Sequence, residues 1–141
     1  MKALVIGGGK VGSYLAQLLV AEGHDVKIIE IRQERAAALR SDLPAASILV
    51  GSGTAPALLE AADIQHTQVV AAVTGADETN LVASSLARFE FAVPRIIARV
   101  NNPRNAWLFS AQMGVDVALN QADLMAHLIM EEMSLGDMMT L

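Results

Sequence analysis

The sequence is 141 residues long, 53% hydrophobic and 18% charged, with a net charge of −5. This length suits one domain with a self-sufficient core, and so apolar a composition excludes a disordered chain. Having no cysteine excludes disulfides, zinc–thiolate sites and a cysteine nucleophile, while an acidic balance without a basic run argues against a nucleic-acid partner.

In chain order, residues 2–6 form an apolar run of strand length, and residues 11–21 carry apolar side chains at helical spacing up to a C-terminal cap at Gly23. A second strand is predicted over 25–30, and a second helix over 33–41 closes before Pro44. Strand 47–50 and a short helix 57–62 follow, then strand 68–73 and helix 78–89. Pro94 precedes strand 95–100, helix 105–113 stops at Gly114, strand 115–119 is the sixth, and helix 122–133 is the last. Six β–α units with continuously apolar strands describe a parallel sheet buried on both faces. Right-handed crossovers make it an α/β fold of Rossmann-like, doubly wound type, with strand order 3-2-1-4-5-6. No linker or repeat divides the chain, so residues 1–141 read as one nucleotide-binding domain.

No stretch approaches the roughly 20 apolar residues of a bilayer span, so direct membrane insertion is not expected. The N-terminus lacks the long apolar region of a signal peptide. The expected location is therefore cytoplasmic.

Gly7, Gly9 and Gly12 form G-x-G-x-x-G between the first strand and the first helix. Gly7 permits the tight turn, Gly9 lets the backbone approach a pyrophosphate, and Gly12 allows close helix–strand packing. A diphosphate then sits on the free N–H groups that open the helix, with Gly8, Lys10 and Val11 completing the turn. A purely structural turn uses the same glycines.

Glu30 ends the second strand, about 20 residues on, where an acid receives the hydroxyls of an adenosine ribose. Its charge repels a 2′-phosphate and favours NAD(H) over NADP(H). Arg32 and Arg35, close after it and past Ile31, can pair with phosphate and cut the other way. Glu30 read as a solvated carboxylate is the plainer alternative.

Further candidates fall at the C-terminal ends of later strands, where open α/β sheets bind ligands. Gly51, Ser52 and Gly53 make a turn able to lie beside an adenine. Thr74, followed by Gly75, can reach a ribose or phosphate, and Asp77 is placed to cap the next helix. Arg99 is placed either to meet a phosphate or to pair with an acid such as Glu78.

The segments GGGKVG, HDVKIIE, GSGT, TGADETNL and IARVNNP occur in that order. Together they resemble the TrkA-N (RCK N-terminal) domain, the cytosolic nucleotide-binding module of potassium uptake systems and potassium channels. The resemblance runs from Lys2 to about Glu131. It implies that Gly7, Gly9, Val11 and Gly12 carry phosphates, that Glu30 takes the ribose and that Thr74 lines the cleft. It sets Arg99 near a terminal phosphate or a dimer partner. The ligand it implies is NAD(H), with ATP/ADP or AMP as alternatives. Its implied partners are a second copy of the chain, as a homodimer or larger ring, and a membrane potassium transporter or channel subunit. That partner would hold the domain at the inner face of the membrane. This sequence departs from the family at Ser52, where an acid is usual, and at Asn120, where serine is frequent.

An NAD-dependent oxidoreductase domain lacking its catalytic half is the alternative. Turnover needs a substrate pocket and a proton donor beside the nicotinamide. Tyr14, the one tyrosine, lies within the first helix, His24 and His66 lie before strands on the opposite edge, and His127 is on the last helix. Asp77 and Glu78 are the acids nearest the cleft. Binding without catalysis is therefore expected. Leu124, Met125, Leu128, Ile129 and Met133, continued by Met138 and Met139, form an apolar stripe on the last helix. The stripe either covers the domain's own sheet or, as the resemblance implies, meets a neighbouring subunit from about residue 122.

Overall fold

A computed structural model describes residues 1–140, with side chains to residue 136. Strands β1 (Lys2–Ile6), β2 (Asp25–Glu30), β3 (Ser47–Val50), β4 (Val69–Ala72), β5 (Arg95–Val100) and β6 (Val117–Asn120) form one sheet. Every pairing is parallel, and the order is β3-β2-β1-β4-β5-β6. The Rossmann-like architecture is as expected from the alternating pattern.

Successive side chains of a strand point to opposite faces, and β1 shows what that does at the centre of a sheet. Leu4 and Ile6 enter a core with Ile29, Leu59, Val70, Ala83 and Ile96. Val5 enters the other core, with Ala16, Val26, Ile28 and Leu39. Helices α1 (Lys10–Ala21) and α2 (Gln33–Asp42) supply the second face. Helices α3 (Pro56–Ala61) and α4 (Asp77–Phe89) supply the first. Gly23, at a φ of 86°, takes the left-handed conformation just past α1, as a glycine there permits.

The helix expected over 105–113 does not form. Two 3-10 segments, Pro103–Leu108 and Ala111–Met113, replace it, separated by Ser110 in extended conformation. Pro103 starts the first segment and the Asn102 side chain accepts from Arg104 N–H, closing a tight turn. Phe109 and Val115 are what the segment buries, against Ala98 and Val100. Strand β6 accordingly begins two residues later than its apolar run suggested.

Beside β5 and β6 lies an apolar groove of about 290 Å³, lined by Val11, Val73, Ile97 and Leu119 and, from the last helix, by Leu124 and Leu128 among others. The last helix, α5 (Gln121–Thr140), outruns its expected end at residue 133 because no proline or capping glycine stops it there. It packs chiefly against β6. Its stripe is not buried on the sheet: Leu124 is 45% exposed and Met133 66%. The side chains of Met138 and Met139 lie outside the described residues. Among the described residues, no helix is long and apolar enough to cross a membrane.

The tightest contact in the fold is between α1 and the turn after β1. A Cβ added at Gly12 would lie 1.8 Å from the Gly7 carbonyl oxygen, a backbone atom with nowhere to go. Gly12→Ala should therefore destabilise the protein by about 3 kcal/mol, the upper end of an ordinary overpacking cost. Urea unfolding followed by circular dichroism measures it. A loss below about 0.5 kcal/mol, within the usual range of surface substitutions, would mean the helix is free to slide.

Candidate functional site

Ligands of open α/β sheets bind beyond the carboxyl ends of the strands, and the structure has a cleft of about 470 Å³ there. Ten of the candidates meet in its wall: Gly7, Gly9, Glu30, Ile31, Arg32, Ser52, Gly53, Thr74, Gly75 and Arg99. Val73, Ala76 and Thr79 line it as well, without having been singled out.

The five other candidates stand around this wall. Gly8 backs it through its amide, and Gly12 supports the turn beneath it. Gly51, at a φ of 148°, is a backbone position that L side chains rarely adopt, with Leu58 against it. Lys10 lies on an adjoining groove with Ser13, Tyr14 and Arg35, and Val11 lies on the apolar groove beside β5.

Local geometry explains the glycine turn. Gly7 has a φ of 105°, and a side chain there would press on the Thr74 backbone at about 3.0 Å. A Cβ at Gly8 would fall 2.4 Å from Leu39 Cδ1. Gly9 differs, because a Cβ there would meet nothing nearer than Arg32 Nη2 at 3.9 Å. Gly9 is also the N-cap of α1 and has no side chain to cap it. The first N–H groups of the helix are thus left without a capping side chain, beside a cleft, at the positive end of the helix dipole.

Glu30 is buried at 3% exposure and receives a hydrogen bond on Oε1 from Gly8 N–H at 3.0 Å. Arg32 completes the pairing: its backbone N–H and Nε donate to Oε2, and its Nη2 donates to Oε1. The reading of Glu30 as a solvated carboxylate is thereby excluded. Burial alone would raise its pKa, but the hydrogen bonds from Arg32 and Gly8 outweigh it and hold the carboxyl below its ordinary value.

The turn after β3 is closed by its own hydroxyls. Ser52 Oγ accepts from Thr54 N–H at 3.1 Å and lies 2.7 Å from Thr54 Oγ1. Gly53 backs onto β1, where a Cβ would fall 2.3 Å from Ile6 Cγ2.

Thr74 is held by Asn80, a fully buried side chain. Asn80 Oδ1 accepts from the Thr74 N–H at 2.9 Å and lies 2.7 Å from Thr74 Oγ1. Its Nδ2 donates to the carbonyls of Thr74 and Arg99. The hint in the sequence was an asparagine at helical spacing with Ala83, Ser84 and Ala87, the inward face of α4. Arg99 does not pair with Glu78; its Nε is buried without a hydrogen-bond partner among the described residues.

Asp77 is a correction to the sequence reading. It is not the cap of α4: Ala76 holds that position, and Asp77 is the first residue of the helix. Its carboxylate instead accepts from the backbone N–H groups of Asn101 and Asn102, at 2.6 and 2.9 Å, and from the Asn101 and Asn105 side chains. It ties the segment after β5 to the start of α4. Burial works to raise the Asp77 pKa, and the donors from Asn101, Asn105 and Asn102 overcome it, so the pKa is lowered.

A carboxyl held below its ordinary value stabilises the fold above the usual carboxylate range and loses that contribution as pH falls through the folded value. Asp77→Ala should cost about 1–2 kcal/mol at neutral pH by leaving part-buried N–H donors without their acceptor. Asp77→Asn should lose less stability on acidification than the parent chain does. Urea titrations at neutral and acidic pH test both, and parallel acid sensitivity in parent and variant would remove Asp77 from the account.

A family model described as the TrkA-N domain matches residues 3–121. The Trk system potassium uptake protein TrkA of Mycobacterium tuberculosis is 43% identical over 141 residues, covering all of this chain and 63% of its own length. The TrkA homolog of Methanothermobacter thermautotrophicus is 41% identical over 116 residues, covering 82% of this chain and 52% of its own length. The chain thus spans less than two thirds of these relatives. Among solved structures, the TrkA-N domain of the inner membrane protein ybaL from Escherichia coli superimposes with a TM-score of 0.82 at 21% identity, covering 92% of this chain and 94% of that one. The Kef CTD of Shewanella denitrificans in AMP bound form gives 0.78 at 23%, covering 96% and 81%. A GsuK channel bound to NAD gives 0.73 at 19%, covering 84% and 21%. At these identities the three share the fold.

Proposed function

This chain belongs to the TrkA-N domain family, and we propose from that premise that it is a regulatory nucleotide-binding domain of a potassium transport system. One observation carries the reading. An uncapped helix N-terminus at Gly9 and a buried acid at Glu30 stand in the wall of one cleft, joined through the Gly8 amide. That is the arrangement an adenosine diphosphate group needs: N–H donors for phosphate and a fixed acid–arginine pair at the ribose end.

NAD(H) is the first ligand class, with ATP/ADP and AMP as alternatives. Solved structures of the same fold include a GsuK channel bound to NAD, GsuK bound to ADP and a Kef CTD in AMP bound form. The domain binds without turnover: none of the three histidines lines the cleft, and its one acid, Glu30, is already held by Arg32 and the Gly8 amide. Binding acts by differential affinity, favouring whichever arrangement of the assembly holds nucleotide better, by about 1–3 kcal/mol per site. Its partners are a second copy of the chain, through the exposed stripe of α5, and a membrane potassium transporter or channel subunit at whose cytoplasmic face it sits. Residues 1–141 then act as one nucleotide-binding domain.

Gly9→Asp isolates the phosphate cradle. Aspartate is a strong N-cap and the position has room for it, so the variant should fold at least as stably as the parent. Its carboxylate occupies the anion seat and should weaken NADH binding by about a hundredfold, as the loss of a charge-assisted contact implies. Calorimetric titration with NADH, NAD, ATP, ADP and AMP reads this out. Preference for ATP or ADP would shift the ligand class. Binding of none, by a folded parent chain, would overturn the reading.

A further inference from the structure

The rule that an acid at the end of β2 excludes a 2′-phosphate assumes that its charge and its lone pairs are free. In this chain neither is. A carboxylate offers about four acceptor sites, and Glu30 has four donors: Gly8 N–H and Arg32 Nη2 on Oε1, and Arg32 N–H and Nε on Oε2. The planar guanidinium lies against the carboxylate side-on, the geometry in which two parallel bonds fix both groups. A ribose hydroxyl seeking Glu30 must displace one of these donors.

Arg32 itself is only half committed. Its side chain is 62% exposed. Of the five N–H bonds of a guanidinium, about two are spent on Glu30, and the remainder make no hydrogen bond among the described residues. Its Nη2 lies 3.9 Å from the Cβ position of Gly9, so the group spans the gap between the acid and the phosphate turn, and it lines the cleft. Arg35 stands behind the same turn, with Nε donating to the Gly8 carbonyl at 2.6 Å and Nη2 to Ser13 Oγ. One guanidinium therefore faces the carboxylate and a second lies behind the glycine turn, while Glu34, in the first turn of α2, is exposed to solvent. The hydrogen bonds that hold the Glu30 carboxyl below its ordinary value also raise the Arg32 pKa, so both stay charged.

We propose that the cleft accepts a nucleotide carrying a phosphate on the 2′-oxygen of its adenosine ribose, and that Arg32, fixed by Glu30, is the residue that receives it. The proposal rests on the adenine-nucleotide reading and deepens it, reversing the expectation that Glu30 repels the 2′-phosphate. Glu30 becomes a positioning residue for Arg32.

Titration of the purified chain with NADPH and NADH, calorimetrically and side by side, tests this. NADPH should bind at least as tightly as NADH, with a steeper dependence on salt because one more phosphate is paired. Arg32→Ala should weaken NADPH by about tenfold more than it weakens NADH, with circular dichroism as the check that the variant is folded. Arg32→Gln, neutral but still able to hydrogen-bond Glu30, should lower the NADPH-to-NADH preference in the same direction. NADH binding with NADPH about tenfold weaker in the parent chain overturns the proposal and leaves the adenine-nucleotide reading intact. So does a preference that neither variant changes. Failure of both ligands to bind the parent overturns the underlying reading, and the proposal with it.

Discussion

Everything at the carboxyl end of this sheet depends on how closely α1 approaches the end of β1. The Gly12 Cα stands so near the Gly7 carbonyl that no side chain fits between them. That contact sets the direction in which α1 leaves the sheet, and so how the intervening turn must close. Gly7 closes it at a positive φ, beside the Thr74 backbone. Gly8 then has its amide aimed at Glu30 on the neighbouring strand, and Gly9 has its own face open. Helix direction, the acid's fixed position and the uncapped helix start are consequences of one steric constraint. The three glycines therefore act as a unit, and each has a different neighbour to avoid.

A second set of constraints runs across the strand ends away from the glycines. Asn80 joins Thr74 to the Arg99 carbonyl, bridging β4 and β5. Asp77 gathers Asn101, Asn102 and Asn105 just beyond. Asn101 Nδ2 returns to the Thr74 carbonyl. Asn120 Nδ2 donates to the Val100 carbonyl while its Oδ1 receives Asp123 N–H, which caps α5. A polar ladder thus connects the cleft wall at Thr74 with the first turn of the exposed helix. Buried networks of this kind are costly when incomplete, so their members move together or stay put.

The fold was legible because its strands are short, β-branched and separated by glycine or proline at nearly every turn. Burial on both faces of β1 and β2 is written as uninterrupted apolar runs, Ala3–Ile6 and Ile28–Ile29 among them. Helix 105–113 was misread because PRNAWLFSAQM has apolar residues at compatible spacing, while the deciding elements are an Asn–Pro turn and the burial of Phe109 and Val115. The glycine motif and Glu30 stood out for the same reason: their chemistry is local and their spacing is set by one β-α-β unit. Partners chosen across the sheet are not legible that way. The Asp77 bonds join residues 24 to 28 positions apart. Nothing in the residues near Asp77 distinguishes a staple from a helix cap. Arg32, two residues from Glu30, was legible as a cation near phosphate but not as the occupant of the acid.

The chain leaves polar groups unfinished in one region, and the pattern has a physical meaning. Buried donors in folded proteins are nearly always paired; Arg99 Nε, on the cleft wall, is not. Arg32 keeps free N–H groups over the same cleft, and the first turn of α1 has no capping side chain. All three deficits are of donors, and all lie about a space of roughly 470 Å³. A set of unpaired donors around one cavity matches a single kind of guest, one that brings several anionic acceptors at once. On the far side of Arg99 the surroundings change sharply, to the apolar groove of Ile97, Leu119 and Leu124. Arg99 is the one charged side chain that borders both spaces. On the proposed reading, an anion in the cleft fixes the Arg99 guanidinium, which is also one wall of the groove along which α5 lies.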